Sequence, residues 1–385
     1  MKKYLYIENS TKPAPEVHES LADVHLDNCS IPCIESAMKM GYDVYMGVNR
    51  AHAESLQCCY PVKFYNANIY RSLLDLPGNL RAYQNLMKLL REEKIDVIHC
   101  NTPIGGVLGR LCGRKAGVGK IIYTAHGFHF YRGAPFLNNT VFKWAEMWLA
   151  HCTDAVITMN REDYAAAQRF KLKRSGSVYY IPGAGIDTDG YGINGAARNR
   201  VRSSLGLKDG DVMAISIGDL IPRKNYGVSI RALAQTSYKG LHFFICGTGG
   251  KKEALLRLAR KLKVEERVHF LGYRKDITDL LGAADIFFFT SLQEGLPRSL
   301  MEAMASGLPC IVSEIRGNTD LIRDGEGGYL CGPLDVVGFA RALDRLAGDG
   351  KLRESMGIKN LDAVKNFDVK LVKAEMAEMY RKILA

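Results

Sequence analysis

No apolar run in these 385 residues approaches the roughly 20 that a helix needs to cross a bilayer. The opening Met1-Lys-Lys-Tyr-Leu-Tyr-Ile-Glu8 reaches an acid after too short an apolar stretch for a secretory leader. Both observations point to a chain that stays in the cytoplasm. No Cys-x-x-Cys pair occurs among the ten cysteines. Cys29 and Cys33 have no matching His/Cys pair at zinc spacing, so no structural metal site is expected. Several cysteines fall inside apolar runs, where a thiol behaves as a small hydrophobe. Zinc fingers and RNA-binding aromatic motifs are missing, and the basic residues are scattered, so nucleic acid is not an expected partner. Internal repeats and low-complexity tails are lacking too.

What is present reads as an ordinary soluble protein, with 47% hydrophobic and 24% charged residues. Its length suggests two domains of roughly 180–200 residues. The net charge of +11 favours an anionic partner. With nucleic acid set aside, that leaves a phosphorylated substrate or an anionic membrane surface. Short apolar runs alternate with amphipathic stretches. Tyr4–Ile7, Val44–Met46, Val97–Cys100, Ile121–Ala125, Ala155–Met159 and Val178–Ile181 read as strands of a first half. Val212–Ile217, His242–Cys246, Val268–Leu271, Ile286–Thr290, Cys310–Val312 and Tyr329–Leu330 read as strands of a second. Helical patterns at Leu80–Glu92, Thr140–Ala150, Tyr226–Thr236, Glu253–Leu262, Ser299–Ala305 and Val336–Leu346 lie between them. This rhythm predicts an α/β protein with parallel sheets covered on both faces. It breaks at the glycine-rich stretch Gly183–Asn199. The expected division is an N-terminal domain 1–186 joined by a C-terminal helix 370–385, a linker 187–195, and a second domain 196–369. Ligands of such sheets collect beyond the carboxyl ends of strands, and two Rossmann-like domains facing a cleft would bind there.

Four segments carry candidate chemistry. In Thr290-Ser-Leu-Gln-Glu294-Gly295-Leu296-Pro297-Arg-Ser-Leu-Met-Glu302 a strand ends, a glycine loop follows, and Pro297 suits a helix start. Backbone N–H groups at that helix end would hold a diphosphate. Glu294 and Glu302 flank it, and each carboxylate can accept from two neighbouring hydroxyls, one on a sugar and one on a ribose. Arg223 and Lys224 end the loop after Val212–Ile217, where they either neutralise a departing diphosphate or form an exposed basic turn. The turn Gly247-Thr-Gly249-Gly250 either lets the backbone approach a ligand or merely turns the chain. His126 and Gly127 follow the strand Ile121–Ala125, and the histidine reads equally as catalytic or structural. The D-x-D strings Asp187-Thr-Asp189 and Asp209-Gly-Asp211 fall in the linker and in a polar turn, so no catalytic metal is expected. The aromatic and basic stretch Phe128–Leu149 either rests on an anionic bilayer or packs Trp144, Trp148 and Leu137 into a core.

With these residues quoted, the chain resembles the GT-B glycosyltransferases of family 4, a retaining group that builds bacterial capsule, exopolysaccharide and lipopolysaccharide. Glu294 and Glu302 match the family's E-x7-E motif, Lys224 its phosphate-loop lysine, and His126 its N-domain histidine. Ile181-Pro-Gly-Ala-Gly-Ile-Asp187 looks like its interdomain segment, and Leu271-Gly-Tyr273-Arg274-Lys-Asp276 like the turn beside the nucleotide base. The resemblance implies that Glu302 holds the ribose and Glu294 the donor sugar. It implies that Gly295, Leu296 and Pro297 line phosphate and sugar, that Lys224 and Arg223 stabilise the diphosphate, and that His126 touches the sugar near the reacting carbon. Gly247, Tyr273 and Arg274 would complete the nucleotide site. The implied activity is transfer of a hexose or N-acetylhexosamine from a nucleotide-diphosphate sugar, UDP foremost, to a lipid-diphosphate-linked glycan. No cofactor or metal is implied, and the location would be the cytoplasm or the inner face of the cell membrane. A sugar-nucleotide epimerase of the same fold and a non-catalytic partner subunit are the alternatives. Two positions depart from the family. Asp219 stands where many members carry arginine, and residues 9–20 lack the usual glycine loop of the first strand.

Overall fold

The computed structural model describes residues 1–8, 24, 26–50, 52–70, 74–192 and 195–384. The atypical stretch 9–20 lies outside the described residues. Two compact units emerge: Met1–Ala184 with Val372–Ala385, and Gly185–Leu371.

The first unit is built on β1 (Lys3–Ile7), β2 (Asp43–Val48), β3 (Val62–Asn66), β4 (Val97–Asn101), β5 (Lys120–Ala125), β6 (Ala155–Thr158) and β7 (Ser177–Tyr180). They form one parallel sheet in the order β3-β2-β1-β4-β5-β6-β7. Side chains alternate along each strand, as the pleat requires. Leu5 and Ile7 enter the core on one face, and Tyr4 and Tyr6 the core on the other. The second unit contains β8 (Val212–Ile217), β9 (Leu241–Cys246), β10 (Val268–Gly272), β11 (Ile286–Phe289), β12 (Cys310–Ser313) and β13 (Gly328–Cys331). Its parallel order is β10-β9-β8-β11-β12-β13, and its two faces are again separate apolar cores. Each sheet reverses direction once, between β1 and β4 and between β8 and β11. Ligand crevices form at such reversals, because the flanking crossovers run to opposite faces.

Some expectations need amendment. β3 was not anticipated. Within the stretch expected to be linker, Thr188–Gly190 is a 3-10 turn, and the helix Gly195–Ser204 begins at its last residue. Thr140–Ala150 is not one regular helix, because a wide π turn at Asn138–Phe142 precedes the α-helix Lys143–Ala150. The core reading of that stretch fails: Trp144 is 67% and Trp148 46% exposed.

The helix Val369–Leu384 returns the chain to the first unit. Val372, Met376, Met379, Tyr380 and Ile383 recur at helical spacing and enter the core that holds Tyr4 and Tyr6. Tyr380 Oη lies 2.7 Å from Tyr4 Oη and 2.7 Å from His99 Nδ1. His99 Nε2 meets Thr124 Oγ1 at 2.7 Å. These partners are all hydroxyls, which satisfy a neutral imidazole and offer no countercharge to an imidazolium. Burial accordingly pushes His99 down to about 3. The unfolded histidine takes up its proton near 6.5, whereas the folded one stays neutral until about 3. Stability of the first unit should therefore fall as pH drops through that window, by at most roughly 1.4 kcal/mol per unit. Urea unfolding at several pH values should give a shallower slope for His99→Gln than for the unaltered protein. Equal slopes would remove His99 as the source.

Candidate active site

In the second unit, the loops after β8 and β11 flank the strand reversal and are sewn together by hydrogen bonds. Leu292 N donates to Arg223 O at 2.8 Å. Asn225 Nδ2 donates to Thr290 O at 3.1 Å, and Thr290 Oγ1 returns a bond to Asn225 O at 3.1 Å. Asn225 itself sits in the left-handed region at φ 56°, a conformation asparagine tolerates.

These bonds bring three residues singled out in the sequence together. Lys224 Nζ lies 2.8 Å from Glu294 Oε1, and an Arg223 guanidinium nitrogen lies 2.9 Å from the same oxygen. Ser291 Oγ donates to it at 2.6 Å. All three donors converge on Oε1, so Glu294 Oε2 accepts nothing among the described residues. Lys224 also stands over the Phe289 ring, 4.5 Å from its centroid. Burial lowers the Lys224 pKa, while Glu294 pulls it back up. Arg223 is the more exposed cation, and it also donates to Gln293 O at 2.6 Å. The arrangement is two cations and a half-used carboxylate at a strand reversal. Asp219 is exposed on the same loop, and its charge acts on Lys224.

Gly295, Leu296 and Pro297 follow Glu294, and the helix Arg298–Ala305 begins after Pro297, which occupies the N-cap rather than the first turn. Gly317 has φ +78°, and a side chain there would run into the Gly295 carbonyl. The loop after β12 therefore packs directly beneath the loop that carries Glu294. From that loop the buried Arg316 donates through Nε to Glu294 O at 3.1 Å. Glu302, on the helix, accepts from Arg298 Nε at 2.8 Å. Burial and then the Glu302 carboxylate push the neighbouring Tyr191 hydroxyl up to about 12.

Gly247 follows β9 with φ +149°, and any side chain there would strike the Gly218 carbonyl just past β8. That close approach explains the glycine. Tyr273 is 75% exposed, and Arg274 is clamped by Asp276 through bonds of 2.8 and 2.5 Å. The D-x-D aspartates serve local structure: Asp189 pairs with Lys370 at 2.8 Å, and Asp211 accepts from Lys208 N at 2.7 Å.

His126 belongs to the first unit, just past β5. Its Nε2 meets Asn101 Oδ1 at 2.5 Å, while the Asn101 amide nitrogen donates to Tyr6 Oη. That order leaves Asn101 Oδ1 as the acceptor and places a proton on His126 Nε2. Tyr6, Asn101, Thr124 and His126 line a small recess at the carboxyl ends of β1, β4 and β5, with Cys33 and Met376 on its apolar side.

Ser291, Arg316, Asn101 and Tyr6 were not singled out from the sequence. Ser291 sits inside the quoted motif, three residues before Glu294, and could have been read there. The others act across long sequence separations: Arg316 is 22 residues from Glu294, and Tyr6 is 95 from Asn101.

Comparison with solved structures gives the fold. The complex of Anabaena Alr3699/HepE with UDP and glucose aligns at TM-score 0.76, with 21% identity over 99% of this chain and 100% of that one. Sucrose-phosphate synthase from Thermosynechococcus elongatus aligns at TM-score 0.80, with 18% identity over 100% and 99%. Two parallel Rossmann-like units of this kind are the GT-B fold of glycosyltransferases. In sequence, residues 35–189 match the model of glycosyltransferase family 4, and residues 197–361 that of glycosyl transferases group 1. The Bacillus subtilis (strain 168) protein EpsD, named a glycosyltransferase, is 32% identical over 93% of this chain and 94% of its own. The Escherichia coli UDP-Gal:alpha-D-GlcNAc-diphosphoundecaprenol alpha-1,3-galactosyltransferase is 32% identical over 72% of each. The chain belongs to glycosyltransferase family 4 and is a transferase enzyme.

The shared carboxylate generates a stability prediction. Glu294→Ala strands a nearly buried lysine, which costs roughly 3–5 kcal/mol when a buried pair is broken from one side. Lys224→Met leaves Glu294 with Arg223 and Ser291 and should cost clearly less. Hydrogen exchange on the strands of the second unit measures both. Equal losses would show that Arg223 and Ser291 do not sustain the carboxylate.

Proposed function

We propose that this enzyme transfers a hexose or N-acetylhexosamine from a UDP-sugar to a growing, lipid-diphosphate-linked glycan of the bacterial surface. The work would take place at the cytoplasmic face of the membrane. The carrying observation is the Lys224–Arg223–Glu294 cluster at the reversal between β8 and β11. Two adjacent cations suit a diphosphate, and the unused Glu294 Oε2 suits a sugar hydroxyl. The E. coli relative supports this reading, because its name specifies a UDP-galactose donor and a diphosphoundecaprenol acceptor. EpsD, alike over nearly the whole chain, supports the glycosyltransferase part of this reading.

In this reading Lys224 and Arg223 stabilise the leaving diphosphate, the step at which negative charge develops. Glu302 accepts from the ribose, and Glu294 holds the donor sugar. Gly295 to Pro297 line the phosphate and sugar, while Gly247, Tyr273 and Arg274 bound the nucleotide. His126, its Nε2 proton held by Asn101, touches the sugar near its anomeric carbon. Transfer proceeds with retention. The bond from the anomeric carbon to the diphosphate breaks as the acceptor oxygen adds on the same face, and the acceptor proton passes to the departing phosphate oxygen. Positioning and electrostatics are then the protein's contribution, with no metal or cofactor required.

The test is a screen of nucleotide sugars against a lipid-diphosphate acceptor extract, following nucleotide release and product mass. Lys224→Ala and Glu294→Gln should each lose about 10²–10³-fold in turnover, the scale of removing one charge-stabilising group. Sugar isomerisation without net nucleotide release would identify an epimerase instead. Undiminished turnover in both variants would remove the assigned site.

A further inference from the structure

The helix Lys143–Ala150 and the turn before it expose an apolar face. Phe136, Leu137, Val141, Trp144, Met147 and Trp148 are all among the exposed large hydrophobic side chains. A single exposed apolar residue needs no explanation, but six within thirteen consecutive positions form a patch of the kind that marks an interaction surface. The patch is not a loosely held segment. Glu146 points inward, where the buried Arg110 grips it at 2.8 Å and Tyr123 Oη donates to it at 3.2 Å. Arg110 in turn stacks on the Tyr123 ring, 3.9 Å from the centroid, and donates to Gly106 O at 2.8 Å. The helix is thus anchored by its inner face and presents its outer face permanently.

Charge decides what covers it. Glu146 is the only acid between Arg132 and His151, and Arg110 has taken it. On the outward side of the helix itself the charge is basic, since Lys143 is exposed; Arg132 is exposed too, with Glu162 accepting from its backbone N–H at 2.8 Å. The whole chain carries a net charge of +11. A second copy of this protein would bring like charge to like charge. An anionic lipid surface would meet both the indoles, which favour the boundary between headgroup and acyl chain, and the cations around them.

We infer that the outer face of residues 136–148 is a docking surface for an anionic bilayer, with Trp144 and Trp148 entering the headgroup boundary and Lys143 pairing with lipid phosphates. This inference is independent of the donor and acceptor assigned above, because none of these residues belongs to the nucleotide-sugar site.

The test is direct because the chain has two tryptophans, and both lie on this surface. The full-length protein is titrated with vesicles of phosphatidylglycerol and phosphatidylcholine, and with phosphatidylcholine alone. Binding to the anionic vesicles should shift tryptophan emission to shorter wavelength, weaken as salt rises, and be much reduced on the neutral vesicles. In vesicle sedimentation, Lys143→Glu should lower the partition coefficient by about tenfold or more. The double variant Trp144→Ser/Trp148→Ser should abolish binding, while both variants keep nucleotide-sugar turnover on a detergent-solubilised acceptor. Absence of binding to anionic vesicles, or binding indifferent to these substitutions, overturns the inference. So does a concentration-dependent dimer, formed without lipid and lost in the tryptophan variant. Loss of turnover in Lys224→Ala with vesicle binding intact would test the catalytic reading separately.

Discussion

A parallel sheet that reverses its strand order leaves one place where neighbouring loops leave in opposite directions, and each unit of this protein has organised its polar residues around that place. In the second unit the loops after β8 and β11 meet there, and a single carboxylate oxygen joins their charged side chains. Without Glu294, Lys224 and Arg223 would repel each other in a poorly solvated turn. Without the two cations, a nearly buried carboxylate would have only Ser291. Each charge is tolerable because the others are present. The second layer follows from the first: Gly317 and Arg316 hold the Glu294 loop from beneath, so the geometry of the carboxylate depends on backbone it does not touch.

The first unit solves a similar problem with neutral groups. Tyr4, His99, Thr124 and Tyr380 satisfy one another by hydroxyl-to-imidazole contacts, in a region too dry for charge. Close by in sequence, Tyr6, Asn101 and His126 form a chain that ends at the small recess. The two sets alternate along the strands: Tyr4 and Tyr6 on β1, His99 and Asn101 on β4, Thr124 on β5 with His126 just beyond it. Side chains two apart share a face, so a polar residue at one position sets up its neighbour toward the carboxyl edge.

The strands were legible because parallel strands buried on both faces are written as near-continuous apolar runs; Ile286–Phe289 is such a run, and Val212–Ile217 is broken only by Ser216. β3 escaped for the opposite reason. It is an edge strand in which exposed Lys63 interrupts Val62, Phe64 and Tyr65, so it looks like half-polar coil. The helix Pro103–Ala116 was hidden by Gly105, Gly106, Gly109 and Gly113, which lower helix propensity. Those glycines are packing devices: a side chain at Gly109 would collide with Cys100 and Ile7, and one at Gly106 with Tyr123. Of the candidate site, Glu294 was legible with Glu302 as a spaced pair, and Lys224 with Arg223 as the two cations of a loop after a strand. The residues that hold them were not, because spacing along one loop says nothing about a partner supplied by another strand.

The return of the helix Val369–Leu384 has a consequence for how the chain is made. Tyr380 and its apolar neighbours complete the core around Tyr4 and His99, so the unit whose synthesis begins first cannot be finished until Tyr380 has left the ribosome. The unit formed by Gly185–Leu371 has its whole sequence available earlier. During synthesis, where domains generally fold as units in order of emergence, this order is inverted. The first sheet must wait with one face open while the second domain folds downstream of it. A chain stopped before Tyr380 would leave that face without its cover, although every residue of the Lys224–Glu294 cluster would already be in place.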